Sequence, residues 1–465
     1  MREFVKVDRD QMLLLPPSVD ELLPADHLAR FVVEVVEQLD LSAIIARYSP
    51  GKKGYAPYHP AMMTALLFYG YATGVFSSRK IERGCRFDLA FRFIAAGHTP
   101  DHDTISKFRR ANLAELSALF VSILVLAREM GFLKVGSVAL DGTKIKANAS
   151  KHAAVSYKRA KEIEEKLRAE VRRLMKLAEE SDNAPIAEGI DIPAEIARRE
   201  DRIRKLQEAR EIIETRKKIA EATERIEALE DHAEEFSQAC DKIADGDCST
   251  GLPEMPECPE PEPPEDKAQH NFTDPDSRIM LDKGAFTQAY NAQAAVDTAS
   301  MIIVHNHLSQ ATNDKRELLP GAAGIDTIYA VLFDRTPEAI IADSGYFSAS
   351  NLRNLPTTTD AYIAPGRTKH NLPLDKLLAP PATGVGQENW TPAQKMRHKL
   401  DTEKGRAIYR LRKMTVEPAI GIIKSANGLR QFLLRGVENV RHEWSLACIG
   451  YNLKRMFNLM RSKPA

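Results

Sequence analysis

The chain has little of what cross-links or anchors a protein. Its 465 residues include five cysteines, and none of them forms the Cys-x-x-Cys spacing of a zinc site, so neither zinc nor a disulfide framework is expected. No apolar run approaches the ~20 residues of a membrane span, and the N-terminal Met1–Phe4 begins no apolar signal core. These absences favour a cytoplasmic protein, in a reducing compartment, without a membrane partner.

The chain also lacks net charge, which at first argues against a nucleic-acid partner. Its charge is unevenly distributed, however. Residues 151–270 carry 21 Lys and Arg against 31 Asp and Glu, whereas the rest of the chain carries 44 against 34. A basic body with an acidic insert suits the binding of a polyanion better than the total does.

Three carboxylates stand where they indicate chemistry. The apolar run Ala339–Ala342 predicts a buried strand that ends in Asp343, and Val138–Leu140 predicts another that ends in Asp141. Glu417 lies on a helical pattern over 403–424, where Pro418 predicts a helix start or a kink. Each carboxylate alone also suits a turn or a helix cap. The three together, two on strand ends and one on a late helix, are what a divalent-metal phosphoryl-transfer site needs.

The motifs around these residues resemble a known family. They are Leu140-Asp141-Gly142-Thr143-Lys144, the run 290–297, the run Ala342-Asp343-Ser344-Gly345-Tyr346, and Glu417 followed by Lys424. The chain resembles the DDE transposases of bacterial insertion sequences, whose catalytic fold is RNase H-like. That family also has a Tyr and an Arg upstream of the Glu. Here Lys413 stands where the Arg is expected, and Tyr409 is one place early, with Arg410 and Arg412 beside it.

The resemblance implies a function. Asp141, Asp343 and Glu417 would be the catalytic triad and would hold two Mg²⁺ or Mn²⁺ ions. The protein would bind the terminal inverted repeats of its element, cleave the DNA at the transposon ends, and join the freed 3′-hydroxyls to target DNA. A homodimer in the DNA complex is one option that the sequence leaves open. Two alternatives remain: a nuclease of the same fold without strand transfer, and a catalytically silent DNA-binding or scaffold protein.

Basic residues near the triad and in the N-terminal helices are candidate DNA contacts. Lys424 lies about two helical turns beyond Glu417, on the same face, and could contact a phosphate near the cut. The remaining candidates are Lys144, Lys146, Arg79, Lys80, Arg83, Lys107, Arg109, Arg110, Arg412 and Lys413. Lysine and arginine contacts to phosphate give affinity without base specificity. A solvated helix face explains the same residues without any DNA.

The order of predicted elements divides the chain into three parts. Residues 1–133 read as a helical N-terminal domain, with Val19–Leu41 and His59–Thr73 as helices. The basic helices after Ser77 and Asp103 suit either a helix-turn-helix that binds DNA ends or simply packed helices.

Residues 134–150 and 271–465 would form an α/β, RNase H-like domain: a strand, a hairpin, a crossover helix, a strand and a late helix, with a loop-rich stretch at 366–400. Residues 151–270 would be an inserted helical hairpin followed by an acidic, Pro-rich, disordered linker at 245–268. The hairpin suits either a solvated unit without chemistry or a clamp for a protein or a transposon end.

His98, Asp101, His102 and Asp103 resemble a metal-binding cluster in their spacing. Pro100 lies between them, however, and no further ligand is evident. A Pro turn that leads into a capped helix is the interpretation we favour.

Overall fold

The protein is a mixed α/β structure in which helices surround one mixed sheet. The computed structural model describes residues 18–48, 56–181, 191–244, 251–256, 262–282, 284–356, 358–366 and 390–462. Parts of the predicted linker (245–250 and 257–261) and of the predicted loop (367–389) therefore lie outside the described residues. The described parts of the linker contain neither helix nor strand.

The N-terminal part is helical, as predicted. Its helices are α1 (Val19–Leu22), α2 (Leu28–Glu37), α3 (Ser42–Ile45), α4 (Pro60–Thr73), α5 (Ser78–Phe87), α6 (Leu89–Ile94), α7 (His102–Ala111) and α8 (Leu113–Glu129). The Ser18 side chain caps α1 by accepting from the Glu21 amide, 3.1 Å away. The predicted helix Val19–Leu41 is broken after Leu22, because Pro24 favours an extended Leu23 before it.

The His98–Asp103 stretch is a turn and a helix cap, as favoured from the sequence. Asp101 accepts from the Thr104 amide at 2.7 Å and so begins α7. His102 contacts Glu82 through Nδ1 at 2.8 Å. These contacts account for the polar cluster by local structure.

Among the described residues, the main sheet has six strands. They are β1 (Ser137–Lys146), β4 (Arg278–Asp282), β5 (Ala285–Asp297), β6 (Ile303–Ser309), β7 (Ala339–Ala342) and β8 (Ala361–Ile363). The order across the sheet is β4–β5–β1–β7–β8, and β6 pairs with β5 as well. β5 is antiparallel to β1, whereas β7 lies parallel to both β1 and β8. α11 (Leu318–Phe333) makes the crossover between β6 and β7.

Between β1 and β4 the chain forms two long helices on a small second sheet. β2 (Ala154–Ser156) and β3 (Gln269–Asn271) pair antiparallel, with α9 (Tyr157–Ser181) and α10 (Ile192–Ala244) between them. Ion pairs join Glu164 to Arg210 at 2.7 Å and Glu170 to Arg199 at 3.0 Å. Because the partners follow in reverse order, the two helices run antiparallel.

The C-terminal part is helical. α12 (Ala349–Asn354) is followed by α13 (Pro392–Asp401), α14 (Glu403–Gly421), a π-helical turn (Ile422–Ala426) and α15 (Val437–Ser462). α13 was missed from the sequence, where 366–400 was predicted to be loop-rich. Thr391 and Gln394 form a capping box at its start, with Pro392 in the first turn. Pro418 lies inside α14, so of the two alternatives predicted there the helix start at Glu417 is wrong, and the kink stays a prediction.

One continuous apolar core joins the N-terminal helices to the sheet. α4 and α8 pack against α15, and α15 packs against β6. The buried Trp444 donates from Nε1 to the Gln293 carbonyl at 2.9 Å, and Asn452 bonds both backbone groups of Ile303. The helical part and the sheet are therefore held together by α15. No single described helix is both long and apolar enough to cross a membrane, although α7 and α8, bent by 71°, reach that length and composition together.

Candidate active site

Asp343 directly follows β7, and Asp141 lies within β1, just beyond the residues that pair with β7. The predicted strand end at Asp141 is wrong, because β1 continues along β5 to Lys146. In the parallel pair β1 and β7, Ala139 is in register with Ile341. Asp141 and Asp343 each lie two residues beyond this pair. Parallel strands have the same rise per residue, so the register brings together two carboxylates that are distant in sequence.

The electrostatics of Asp141 reflect this proximity. Burial, and then the negative charge of Asp343, raise the pKa of the Asp141 carboxyl to about 7. Arg412 and the Gly142 amide, which donates to Oδ1 at 2.8 Å, act in the opposite direction. A second carboxylate nearby makes the site favourable for a cation.

Asp343 also has the structural role that its position allows. Its Oδ1 accepts from the Gly345 amide at 2.7 Å and caps a short 3₁₀ turn over Ser344–Tyr346. The cap interpretation and the catalytic interpretation are therefore compatible here. Oδ2 is the oxygen of Asp343 that this cap does not use.

Arg412 connects the third carboxylate to the first. Its Nη1 lies 3.4 Å from Asp141 Oδ2, and its Nη2 lies 3.2 Å from Glu417 Oε1. The Arg412 side chain is 11% exposed, whereas the Glu417 side chain is 48% exposed. α14 thus brings Glu417 to the edge of the site that Asp141 and Asp343 form beyond the paired residues of β1 and β7.

The structure also places the two residues that depart from the family pattern. Lys413 is exposed, whereas Arg412 points into the site. Tyr409 lies one turn before Arg412, and burial raises the pKa of its phenol, while its hydrogen bond to Arg412 lowers it. Arg412, rather than Lys413, therefore occupies the position of the site's cation.

The donors present suit a divalent cation in their chemistry. Carboxylate oxygens are hard ligands that Mg²⁺ and Mn²⁺ accept, and Asp141 combines burial with a like-charged neighbour. Within the described parts of the chain, no group of three or more His, Cys, Asp or Glu side chains lies close enough together to hold a metal ion. Arg412 compensates Asp141 and Glu417 in this conformation.

Lys424 lies beside β1. Its Nζ donates to Thr143 Oγ1 at 2.9 Å and to the Lys144 carbonyl at 2.8 Å. Lys144 donates from Nζ to the Leu281 carbonyl at 3.0 Å, and Lys146 is exposed at the end of the strand. These three lysines therefore follow β1 away from Asp141.

A further carboxylate, Asp314, was missed from the sequence. It lies in the loop between β6 and α11 and accepts from the side-chain amides of Asn291 and Gln293, each at 2.7 Å. Gln293 in turn accepts from the buried Tyr346 hydroxyl, so this network ties the turn after Asp343 to β5. Two polar residues on one face of the otherwise apolar strand β5 were the sequence signal that could have indicated it.

Gly142 makes room for that network. It is in register with Gln293 on β5. A Cβ at position 142 would lie 2.3 Å from Gln293 Nε2 and 2.5 Å from Asp314 Oδ1. The glycine next to Asp141 therefore lets the Asp314 and Gln293 side chains approach the backbone of β1 closely.

The N-terminal basic residues divide into two groups. The exposed candidates are Arg79, Lys80, Arg83, Lys107 and Arg110. Arg109 is buried and donates to the Phe76 carbonyl at 3.0 Å, so it has a structural role in this conformation.

Two family models match the chain. A transposase domain (DUF772) matches residues 17–111, and a transposase DDE domain matches residues 384–457. The second match includes Arg412, Glu417 and Lys424, whereas Asp141 and Asp343 lie outside both. No curated protein and no solved structure matches the chain. The two matches confirm the resemblance inferred from the sequence motifs.

Proposed function

We propose that this chain, which carries transposase domains of the DDE insertion-sequence type at both ends, binds the terminal inverted repeats of its element and catalyses cleavage and strand transfer. The observation that carries the proposal is the register of β1 and β7, which sets Asp141 beside Asp343, together with Arg412, which joins Asp141 to Glu417. DNA ends and target DNA are the proposed partners, in the cytoplasm.

Asp141, Asp343 and Glu417 would hold divalent cations, Mg²⁺ or Mn²⁺, and two ions in the proposal. When bound, such ions stabilise the negative charge that develops during phosphodiester attack and favour an ionised oxygen nucleophile. Cleavage and joining are both in-line attacks of an oxygen on phosphorus, so one site serves both steps.

Other residues of the chain would bind the phosphate and hold the site in place. Arg412 presents two guanidinium nitrogens to the carboxylates and can turn them to a phosphate, because guanidinium binds both groups with the same fork. Lys424, fixed by Thr143 and the Lys144 carbonyl, adds a positive charge on one side of Asp141. The Asp314–Gln293–Tyr346 network holds the turn after Asp343 against β5.

We also propose a role for each of the three parts of the chain. The strand order, with an antiparallel hairpin on one side of β1 and two parallel strands on the other, supports an RNase H-like catalytic domain at 134–150 and 271–465. Residues 1–133 would contact the transposon ends. Residues 151–270 would be an inserted helical hairpin, since β2 and β3 bring its two ends side by side.

An assay of cleavage and joining tests the proposal. The DNA that flanks the gene is sequenced to find the terminal repeats, and a linear fragment that carries them is incubated with the protein, Mg²⁺ and a target plasmid. We expect cleaved 3′ ends and joined products. Cleavage without joining would support the nuclease alternative, and binding without either would support the silent DNA-binding protein.

A further inference from the structure

The segment after α14 runs beside the end of β1. Lys424 contacts Thr143 and Lys144, and Gln431 forms a parallel bridge with Lys146. Further along, the Asn148 amide donates to the Leu433 carbonyl at 2.6 Å. The two stretches, 143–148 and 424–435, therefore progress together away from Asp141.

Both stretches carry cations on the surface along this path. Lys146, Arg430 and Arg435 are exposed, and Arg110 from the end of α7 reaches the same place. There, a pocket is lined by Arg110, Asn148, Leu433, Leu434, Arg435 and Asn439. The lining carries two guanidinium groups and two amides, and among the described residues around the pocket no carboxylate contributes to it. We refer to Lys144, Lys146, Arg430, Arg435 and Arg110 as the basic track.

Three carboxylates that contact the loop carrying Arg435 are turned to its backbone. Asp274 accepts from the Gly436 amide at 3.1 Å, and Asp276 accepts from the Val437 amide at 3.0 Å. Glu443 accepts from the Leu433 and Leu434 amides. These contacts fix the loop that carries Arg430 and Arg435, and they leave the cations on its outer side.

The length of the track fits duplex DNA. Seven residues of extended chain, from Asp141 to Asn148, span about 23 Å at about 3.3 Å per residue. One turn of B-DNA is about 34 Å long. A duplex with one phosphate at Asp141 therefore has further phosphates over the track within a single turn.

We propose that the basic track binds the phosphate backbone of the duplex on one side of the cleavage site, and that it directs that DNA from Asp141 toward Arg110. The inference rests on the proposed function for its partner and adds Arg430, Arg435 and the direction of the DNA. Because the contacts are to phosphate, the track supplies affinity and orientation and no sequence preference.

The test measures the binding of a fluorescein-labelled 30-base-pair duplex of arbitrary sequence by anisotropy, in EDTA, over a range of KCl concentrations. The variant is Arg430→Gln with Arg435→Gln, and the matched control is Arg335→Gln. Arg335 is also exposed, and it lies before β7, at the opposite end of that strand from Asp343. Loss of two phosphate contacts should lower the slope of log affinity against log salt by about 2 and weaken binding at least 10-fold.

Two further variants separate charge from folding. Arg435 Nε donates to the Asn148 carbonyl at 2.9 Å. Arg435→Lys keeps the charge and should retain most of the slope, whereas a merely structural role of that hydrogen bond would make the Lys variant as weak as Arg435→Gln. Arg110→Gln removes a cation of the track that lies on another element, and it should lower the slope by about 1. This variant therefore tests the track even if the double variant does not fold. Unchanged slopes in folded Arg430→Gln/Arg435→Gln or in Arg110→Gln, with wild-type binding intact, would overturn the track alone. A wild-type protein that binds no duplex would overturn the track and the proposed function together.

Discussion

Arg412 lies between two carboxylates of the site, 3.4 Å from Asp141 and 3.2 Å from Glu417, with most of its side chain buried. In this conformation, its guanidinium supplies the positive charge that a divalent cation would supply in a loaded site. The same carboxylate oxygens cannot be used fully by both, so a cation held by Asp141 and Glu417 would compete with Arg412 for them.

Arg412→Gln should therefore lower stability without metal and increase the response to metal. Removing a charged hydrogen-bond partner of a buried carboxylate costs about 1–3 kcal/mol, and ligand binding to the folded state raises the melting temperature. Melting curves with EDTA and with Mn²⁺ measure both effects. Arg410→Gln, on the exposed side of α14, is the control. An equal Mn²⁺ shift in wild type and Arg412→Gln would contradict the competition.

Gly142→Ala should destabilise the protein by about 1–3 kcal/mol, because overpacking forces its neighbours to move. The added methyl would collide with the Gln293 and Asp314 side chains, which are held in one polar network. Gly136→Ala is the matched control, since a Cβ there meets nothing nearer than 3.6 Å. Urea unfolding gives both free energies. Equal stability of the two variants would show that the network can move aside at no cost.

Residues 157–268 should be removable. Ser156 pairs with Gln269 at the base of the two helices, so an Asn-Gly turn between them closes β2 and β3 as a two-residue hairpin. The shortened chain should melt cooperatively, as measured by circular dichroism. A deletion that also removes β2 and β3 is the comparison. Aggregated or non-cooperative protein from the Asn-Gly variant alone would show that α9 and α10 belong to the core.

The histidines of β6 should make stability depend on pH. Burial, and then the neighbouring His307, lower the pKa of His305 to about 3. His305 Nε2 lies 3.2 Å from His307 Nδ1, and His307 Nε2 lies 3.0 Å from Glu317 Oε2. A pKa below the unfolded value of about 6.5 means that the unfolded chain binds more protons, so this contribution is complete above pH ~6.5 and is lost as pH falls toward 3.

Urea unfolding at pH 7.5 and pH 5 therefore measures the contribution of His305. The loss of stability between the two pH values should be smaller in His305→Gln than in wild type. His98→Gln, which changes an exposed histidine, should behave as wild type does. A loss of the same size in all three proteins would assign the pH dependence to other groups.

Patterns of neighbouring residues predicted most of the helices and strands. The contacts of the candidate site join residues that are distant in the chain, and these limited how much of the site could be predicted. The strands that carry Asp141 and precede Asp343 follow from apolar runs, although β1 continues past Asp141 because it pairs with β5 as far as Lys146. Asp101 and Ser18 cap helices as their type allows. The residues next to Asp314 gave no signal, because its role comes from Asn291 and Gln293 on β5, more than 20 positions earlier in the chain, where the only sequence signal lay.

Arg412 shows a different limit. Lys413 is four positions before Glu417, about 40° away around a helix, and would be the expected neighbour. Arg412 is about 140° away from Glu417, yet it contacts Glu417 because that direction faces the sheet and a long side chain spans the remaining distance. Helix periodicity alone does not include the position of the sheet.

Asp343 is proposed to serve the chemistry and not the binding of DNA. Asp343→Asn keeps the shape and one acceptor oxygen but removes the charge that would hold a cation. Cleavage of labelled transposon ends should therefore fall by several orders of magnitude. Binding of the same ends should stay nearly intact and should fall steeply with salt, as in wild type.

The deciding measurement is cleavage and binding of those ends by wild type, Asp343→Asn and the control Asp334→Asn, each with Mg²⁺ and with excess chelator. We expect cleavage only by wild type and Asp334→Asn, only with Mg²⁺, and binding by all three. A fully active Asp343→Asn protein, or wild-type cleavage that persists in excess chelator, would contradict this role of Asp343.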